Sequence, residues 1–345
     1  MAGMVEHATT VTAIKSIVEL PNGRVVVADP SENRLVVLDF KTGTARDLGR
    51  AGEGPREFKA PGGVYPALKG GAVLYDQNLR RFLPVLPDGT VGDAIALPFK
   101  VTSMSSSTGE PDQFVPDTLG GFVTVNKSSF IPGVGTSTLT RIGSDGVSTA
   151  LTTLQQAQIR ELPSDDPQVR RTQMILFSPV DIWALAPDGW TAVVSAAPYR
   201  VRWFPPTGTP RDGPTLPFTP LPVTKADRDA VLTGNGSPSR LPQLGSTGSN
   251  GRTVTPARST PLFADAKPPF AMQIPRMDRA GRIWIARHVP HGEGPVYDVI
   301  DRRGVVVDRL RIPKATQVIG FGSKALYLLR LDEDDVGHLQ QVPWR

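Results

Sequence analysis

Pro21-Asn22-Gly23-Arg24-Val25-Val26-Val27-Ala28-Asp29, then Arg34-Leu35-Val36-Val37-Leu38-Asp39-Phe40 and Thr42-Gly43, is a pattern that the chain writes twice. About 48 residues later it returns as Gly70-Gly71-Ala72-Val73-Leu74-Tyr75-Asp76, then Arg81-Phe82-Leu83-Pro84-Val85-Leu86 and Asp88-Gly89. Each copy runs turn, apolar strand, Asp, short polar turn, Arg, second strand, turn. The Asp precedes the Arg by the same spacing in both. Strand-built units of this period are the signature of propeller blades, which bury their sheets only by stacking on neighbours.

The same template extends along the chain. Gly120-Gly121-Phe122-Val123-Thr124-Val125-Asn126 opens a looser copy, with Leu139-Thr140-Arg141-Ile142 as its second strand. Pro187-Asp188-Gly189 begins another, in which Ser195 takes the Asp place and Arg200 the Arg place. Asp278-Arg279-Ala280-Gly281 precedes the strand Ile283-Trp284-Ile285-Ala286, and residues 318–342 supply three further strands. The strand-like run Val11-Thr12-Ala13-Ile14 ahead of the first copy is placed to complete that last unit. The expected fold is therefore all-β: a single six-bladed β-propeller over 1–345. Its blades lie near 15–49, 57–97, 98–150, 173–217, 271–313 and 314–345, and an N-terminal strand closes the ring. Two segments, 150–172 and 209–270, fall outside the template and are read as loop and short-helix insertions. Thr152 or Thr153 would cap a helix running to Glu161, and Thr224 would cap one over 224–232. Residues 233–260, rich in Gly, Ser, Thr, Asn and Pro, are read as a loop.

Composition agrees with many strands and turns. Of 345 residues, 34 are Gly and 34 Pro, and Pro at about twice its usual frequency disfavours long helices. There is no cysteine, so disulfides, thiolate nucleophiles and Cys-ligated metals are excluded. The net charge is +5 with a pI near 9.5. The Arg-Arg pairs at 80–81, 170–171 and 302–303 are scattered rather than gathered, so nucleic-acid binding is not expected. No apolar run is long enough for a transmembrane helix, and residues 1–10 carry no apolar core of a signal peptide.

Between the first two copies lies Gly49-Arg50-Ala51-Gly52-Glu53-Gly54-Pro55-Arg56-Glu57-Phe58, followed by Pro61. A Gly-rich, Pro-containing linker that ends in Phe and leads into Pro and the next strand resembles the NHL-type blade signature. On that resemblance the chain is similar to NHL-like six-bladed propellers of bacteria, which are often exported. The resemblance implies a periplasmic or extracellular location, with a cytoplasmic one left open. It also implies that Asp29, Arg34, Asp76, Arg81 and Arg200 brace blades rather than act on a ligand.

The motifs for chemistry are sparse. Arg287, His288, His291 and Glu293 form a candidate interaction loop; a His-x-x-His pair with a nearby Glu offers metal-ligand atoms, but Pro290 constrains it and no second His-rich segment exists. The Asp332–Asp335 cluster lacks the spacing of a calcium loop. No nucleophile elbow, phosphate loop or zinc-protease helix is present. No catalytic residue, cofactor or metal is therefore assigned. The expected role is that of a protein-binding or scaffold propeller, as a peripheral subunit of a cell-envelope complex or an extracellular recognition protein. The alternatives are a metal-dependent hydrolase or lyase of the gluconolactonase-like propeller type, acting at the central channel, and an RNA-binding NHL propeller.

Overall fold

The computed structural model describes residues 3–67, 70–97, 114–127, 136–162, 171–233 and 260–344. Among these, strands form six four-stranded antiparallel sheets, each a simple meander in chain order apart from the last. The first holds Ile17–Glu19, Val25–Asp29, Arg34–Asp39 and Thr44–Asp47; the second Pro61–Pro66, Ala72–Asp76, Arg81–Val85 and Ile95–Ala96. The third holds Phe114–Pro116, Phe122–Lys127, Ser137–Ile142 and Ser148–Leu154. The fourth holds Ile182–Leu185, Thr191–Ala196, Tyr199–Phe204 and Arg211–Asp212, and the fifth Arg276–Met277, Ile283–Ala286, Val296–Ile300 and Val306–Arg311. The sixth contains Thr316–Phe321, Ala325–Leu331 and Gly337–Pro343, with Val5–Val11 from the other end of the chain as its outer strand, Val5 opposite Gln341.

The turn between the first two strands recurs with one geometry. Gly23 has φ 81° and donates its N–H to the Leu20 carbonyl at 2.9 Å, a conformation that a residue with a Cβ rarely adopts. Gly70, Gly120, Gly189 and Gly281 occupy the same place with φ between 73° and 86°.

In the first and fifth sheets the second strand carries almost no polar alternation. Val25–Asp29 and Ile283–Ala286 are buried throughout, because both faces of each sheet are covered by neighbours. Apolar clusters accordingly lie between sheets. Val18, Val26 and Leu35 of the first pack with Phe58, Val64 and Leu74; Tyr75 and Phe82 of the second pack with Phe114 and Ile142 of the third. Val123 and Leu139 meet Trp183 and Val193 of the fourth, and Val194 and Trp203 meet Ile283 and Ile300 of the fifth. Trp284 and Val299 meet Leu326 and Leu328 of the sixth, and Tyr327 and Leu339 return to Val25 and Val36 of the first. Each sheet shares a core with the next and the sixth with the first, an arrangement of β-propeller type.

The helix expected from Thr152 to Glu161 is not formed. Ser148–Leu154 is a strand paired with Ser137–Ile142, and Ile159–Leu162 is a strand paired with Arg171–Leu176. The run Thr149–Thr153 is dominated by β-branched residues, which favour the pleated surface offered beside it. The helix expected from Thr224 is present as α1, Lys225–Thr233. Thr224 caps it, accepting the Asp227 N–H on Oγ1 at 3.2 Å while donating its own N–H to Asp227 Oδ2 at 2.9 Å. Most of the 233–260 loop lies outside the described residues.

The segment between the third and fourth sheets, residues 155–181, is joined to the one between the fourth and fifth. Arg171–Leu176 pairs in parallel with Leu262–Phe263, and Leu221–Pro222 pairs with Ala266–Lys267. Gln173 donates to the Thr260 carbonyl at 2.8 Å. Both insertions connect the last strand of one sheet to the first strand of the next. The 287–295 loop connects the second and third strands of the fifth sheet, and antiparallel pairing puts all of them at the same end.

Candidate functional site

The first strands of all six sheets surround a cavity of about 600 Å³. Its walls are largely apolar: Val18, Val115, Ala184, Met277, Ile319 and Phe321 contribute, with a proline beside several of them. The glycine turns fix which residue reaches it. Five positions before each turn glycine stand Val18, Tyr65, Val115 and Ala184 in the first four sheets, and Arg276 in the fifth. A cationic side chain thus occupies a position that is otherwise aliphatic or aromatic.

The carboxylates on the cavity wall are already engaged. Glu19 accepts the Ser323 N–H and the Tyr327 hydroxyl, both at 2.7 Å. Asp278 accepts Arg282 Nε at 2.7 Å and the Trp284 indole N–H at 3.0 Å, and Asp188 pairs with Arg302 at 2.6 Å. Arg276 has no ion pair or hydrogen bond among the described residues, and its Nε is buried without a partner. Burial pushes its guanidinium down to about 10, against the pull of the Tyr297 and Tyr65 hydroxyls.

Residues singled out from sequence are distributed elsewhere. Asp29 is buried and accepts the N–H groups of Thr12, Ala13, Ser31 and Glu32. Asp76 accepts those of Lys59, Ala60, Asn78 and Leu79, the same four offsets. Arg34 sits opposite Asp29 in register but reaches out to Asp47 at 2.8 Å. Arg81 donates to the Gly54 and Glu57 carbonyls at 2.7 and 3.0 Å, tying the linker to the second sheet. Arg200 lies opposite Ser195, as Arg34 does opposite Asp29.

The 287–293 loop does not converge on a metal. Arg287 pairs at 2.8 Å with Asp298, a fully buried carboxylate that also takes Arg309 and the Tyr199 hydroxyl. Glu293 pairs with Arg311 at 2.7 Å. His288 packs edge-on against Phe177 at 5.5 Å, while His291 Nδ1 lies 4.0 Å from Asp227. Burial first, then the nearby Lys267 cation, pushes the His288 imidazole down to about 4, with Asp227 pulling the other way. Asp227 itself forms a 2.6 Å ion pair with Lys267 in which both side chains are almost wholly buried. Burial opposes that charge, but the Lys267 and Thr224 hydrogen bonds hold the Asp227 carboxyl below its usual range. The loop therefore anchors the insertions: Lys267 also donates to the Val289 carbonyl at 3.1 Å. Phe177 stacks on Phe263 at 6.3 Å, and Arg228 of α1 lies over the Phe263 ring.

No family model matches the chain, and no curated protein sequence does. Solved structures do. A member of the DUF4221 family from Bacteroides vulgatus is similar over 98% of this chain and 95% of its own, at 9% identity and a TM-score of 0.53. A putative exported protein of Bacteroides fragilis is similar over 99% and 94%, at 11% identity and a TM-score of 0.50. Regucalcin, a calcium-binding protein from Agrobacterium tumefaciens, aligns over 100% and 95% at 14% identity with a TM-score of 0.46. At these identities the likeness is one of fold. No helix among the described residues is long and apolar enough to cross a membrane.

Proposed function

We propose that the chain is a six-bladed β-propeller of NHL-like kind, closed by its N-terminal strand, and that it works as a protein-binding module through the face that carries its insertions. The observation that carries this is the joining of the two insertions into one platform. Segments some 90 residues apart in sequence pair as parallel strands, and a buried Asp227–Lys267 pair pins α1 to the same face. A chain that only needed to close a ring would have no use for such a platform. The outward side of α1 is exposed at Lys225, Arg228, Asp229 and Leu232, a mixed charged and apolar surface suited to a protein partner. Asp29 and Asp76 act as blade braces, each gathering two turns onto one carboxylate, with Arg34 and Arg81 as their strand-opposite partners and Arg200 in the matching place opposite Ser195. A location outside the cytoplasm fits the NHL-like resemblance and the exported protein of similar fold.

A gluconolactonase-like metal site is not favoured by the donor set. Among the described residues no group of three or more His, Asp or Glu side chains is arranged so that it could hold a metal ion. Glu19, Asp188 and Asp278 are each committed to protein donors, and Asn126 donates to Thr140 within the third sheet.

The test is chemical cross-linking and co-purification of the full protein from its native cells, beside a variant carrying Arg228→Glu and Leu232→Glu. Capture of one defined partner by the parent, lost in a variant that melts at the same temperature, is expected. A parent that stays solitary, or a variant that keeps the partner, overturns the proposal.

A further inference from the structure

Among the described residues, five arginines have a buried Nε that makes no hydrogen bond: Arg81, Arg141, Arg202, Arg276 and Arg302. Three of them are satisfied through their other nitrogens, and the Nε of Arg202 has a carboxylate oxygen of Asp212 at 3.3 Å. Arg81 donates to two carbonyls, and Arg141 to Pro205, Gly189 and Thr191. Arg202 pairs with Asp212 and Arg302 with Asp188. Arg276 differs from all of them: among the described residues it has neither ion pair nor hydrogen bond, and it lines the central cavity. Its Nε is shut off from water with no acceptor, which is unfavourable for a charged group, while the half-buried side chain reaches the cavity. A structural role would not require that cost, since the equivalent position is filled by Val18, Val115 and Ala184 in other sheets.

We propose that the central cavity binds a small organic carboxylate, its oxyanion held by Arg276 and its apolar body held against the surrounding aliphatic and aromatic wall. The planar guanidinium presents a fork of N–H donors that matches a carboxylate in two parallel bonds. The cavity volume of about 600 Å³ lies in the range of small-molecule sites. Charge selects the sign. Asp278 and Asp188 are neutralised by Arg282 and Arg302, and the remaining carboxylate, Glu19, keeps its charge but is outnumbered on the wall by Lys15, Arg276 and Arg279, which leaves an excess of positive charge. Met277, Ile319 and Phe321 favour a ligand with an apolar body over a bare inorganic ion. The site is independent of the insertion platform, so it stands or falls separately from the protein-binding role.

The probe is 2-naphthoate, measured by calorimetry and fluorescence with the full protein, beside neutral 2-naphthalenemethanol and inorganic phosphate. Naphthoate is expected to bind at least tenfold more tightly than the alcohol. Arg276→Met is expected to abolish that preference while melting at or above the temperature of the parent, and Arg279→Ala to leave most of the binding intact. Equal affinity for acid and alcohol, naphthoate binding unchanged in Arg276→Met, or no naphthoate binding at millimolar concentration would each overturn the proposal. So would phosphate binding without naphthoate binding. If Arg276→Met fails to fold, the acid-over-alcohol preference of the parent, weakened by Arg276→Lys, decides the matter.

Discussion

Asp76 is fully buried, and its two oxygens gather four backbone N–H groups from segments on either side of it. Truncation leaves those donors without partners, and each buried donor so stranded costs about 1–3 kcal/mol unless water reaches it. Asp76→Ala is expected to lower stability by about 4 kcal/mol in urea unfolding, and Asp29→Ala by a similar amount. Arg34→Ala removes only an exposed ion pair, its two side chains 41% and 64% accessible, and is expected to cost less than about 1 kcal/mol. His288 gives a pH dependence. Its folded value of about 4 lies below its ordinary 6.5, so between these limits the unfolded chain takes up a proton that the folded chain refuses. The contribution is whole above pH 6.5 and is lost as the pH falls towards 4, amounting to at most about 3 kcal/mol. The urea midpoint of the parent should fall between pH 7 and pH 4.5 by more than that of His288→Phe. The Asp positions were legible because their spacing repeats and their type is required. Arg276 was not singled out because no motif surrounds it. The available signal was registration on the turn glycine, which sets an arginine where Val18, Tyr65, Val115 and Ala184 stand in other copies.

At the level of elements, α1 is held to the body by the buried pair of Asp227 and Lys267 rather than by an apolar face, since Asp227 is its one buried residue. Lys267→Met strands a buried carboxylate, a change worth about 3–5 kcal/mol. It should speed hydrogen exchange of the α1 amides by a hundredfold or more while leaving the strands of the fifth sheet protected. A paired Asp227→Leu with Lys267→Met should restore much of the protection. The helix itself was readable from Thr224 and the periodic residues after it, because capping is a local property. The segment from Thr152 to Glu161 misled for the opposite reason. A capping threonine favours a helix only where no strand waits beside it, and Ser137–Ile142 offers one. The joining of the insertions was invisible in sequence, because parallel pairing of short segments leaves no pattern in either.

On the scale of the molecule, the apolar clusters run from sheet to sheet and return to the start, so stability is shared among interfaces. The last sheet borrows its outer strand from residues 5–11, with Glu6 bonded to Arg330 and Gln340 and His7 packed on Phe40. Removing residues 1–11 should lower the melting temperature and leave Gly337–Pro343 as an open edge prone to self-association. A peptide of residues 3–13 added in trans should reverse both, as read by light scattering. The repeat was legible at this scale because each unit carries its own turn and strand pattern. The cavity was not, because its wall takes one strand from every unit and no stretch of sequence contains it.

The partnership of Val5 with Gln341 also sets a clock. A ribosome adding roughly 5–20 residues per second takes on the order of 20–70 s to travel from one to the other. For all of that interval the leading strand has been made but its mate has not, so the newborn chain must be kept from pairing with a stranger. Any escort, whether a holding chaperone or passage across a membrane before collapse, would have to cover residues 5–11 until residues 337–343 are available to pair with them.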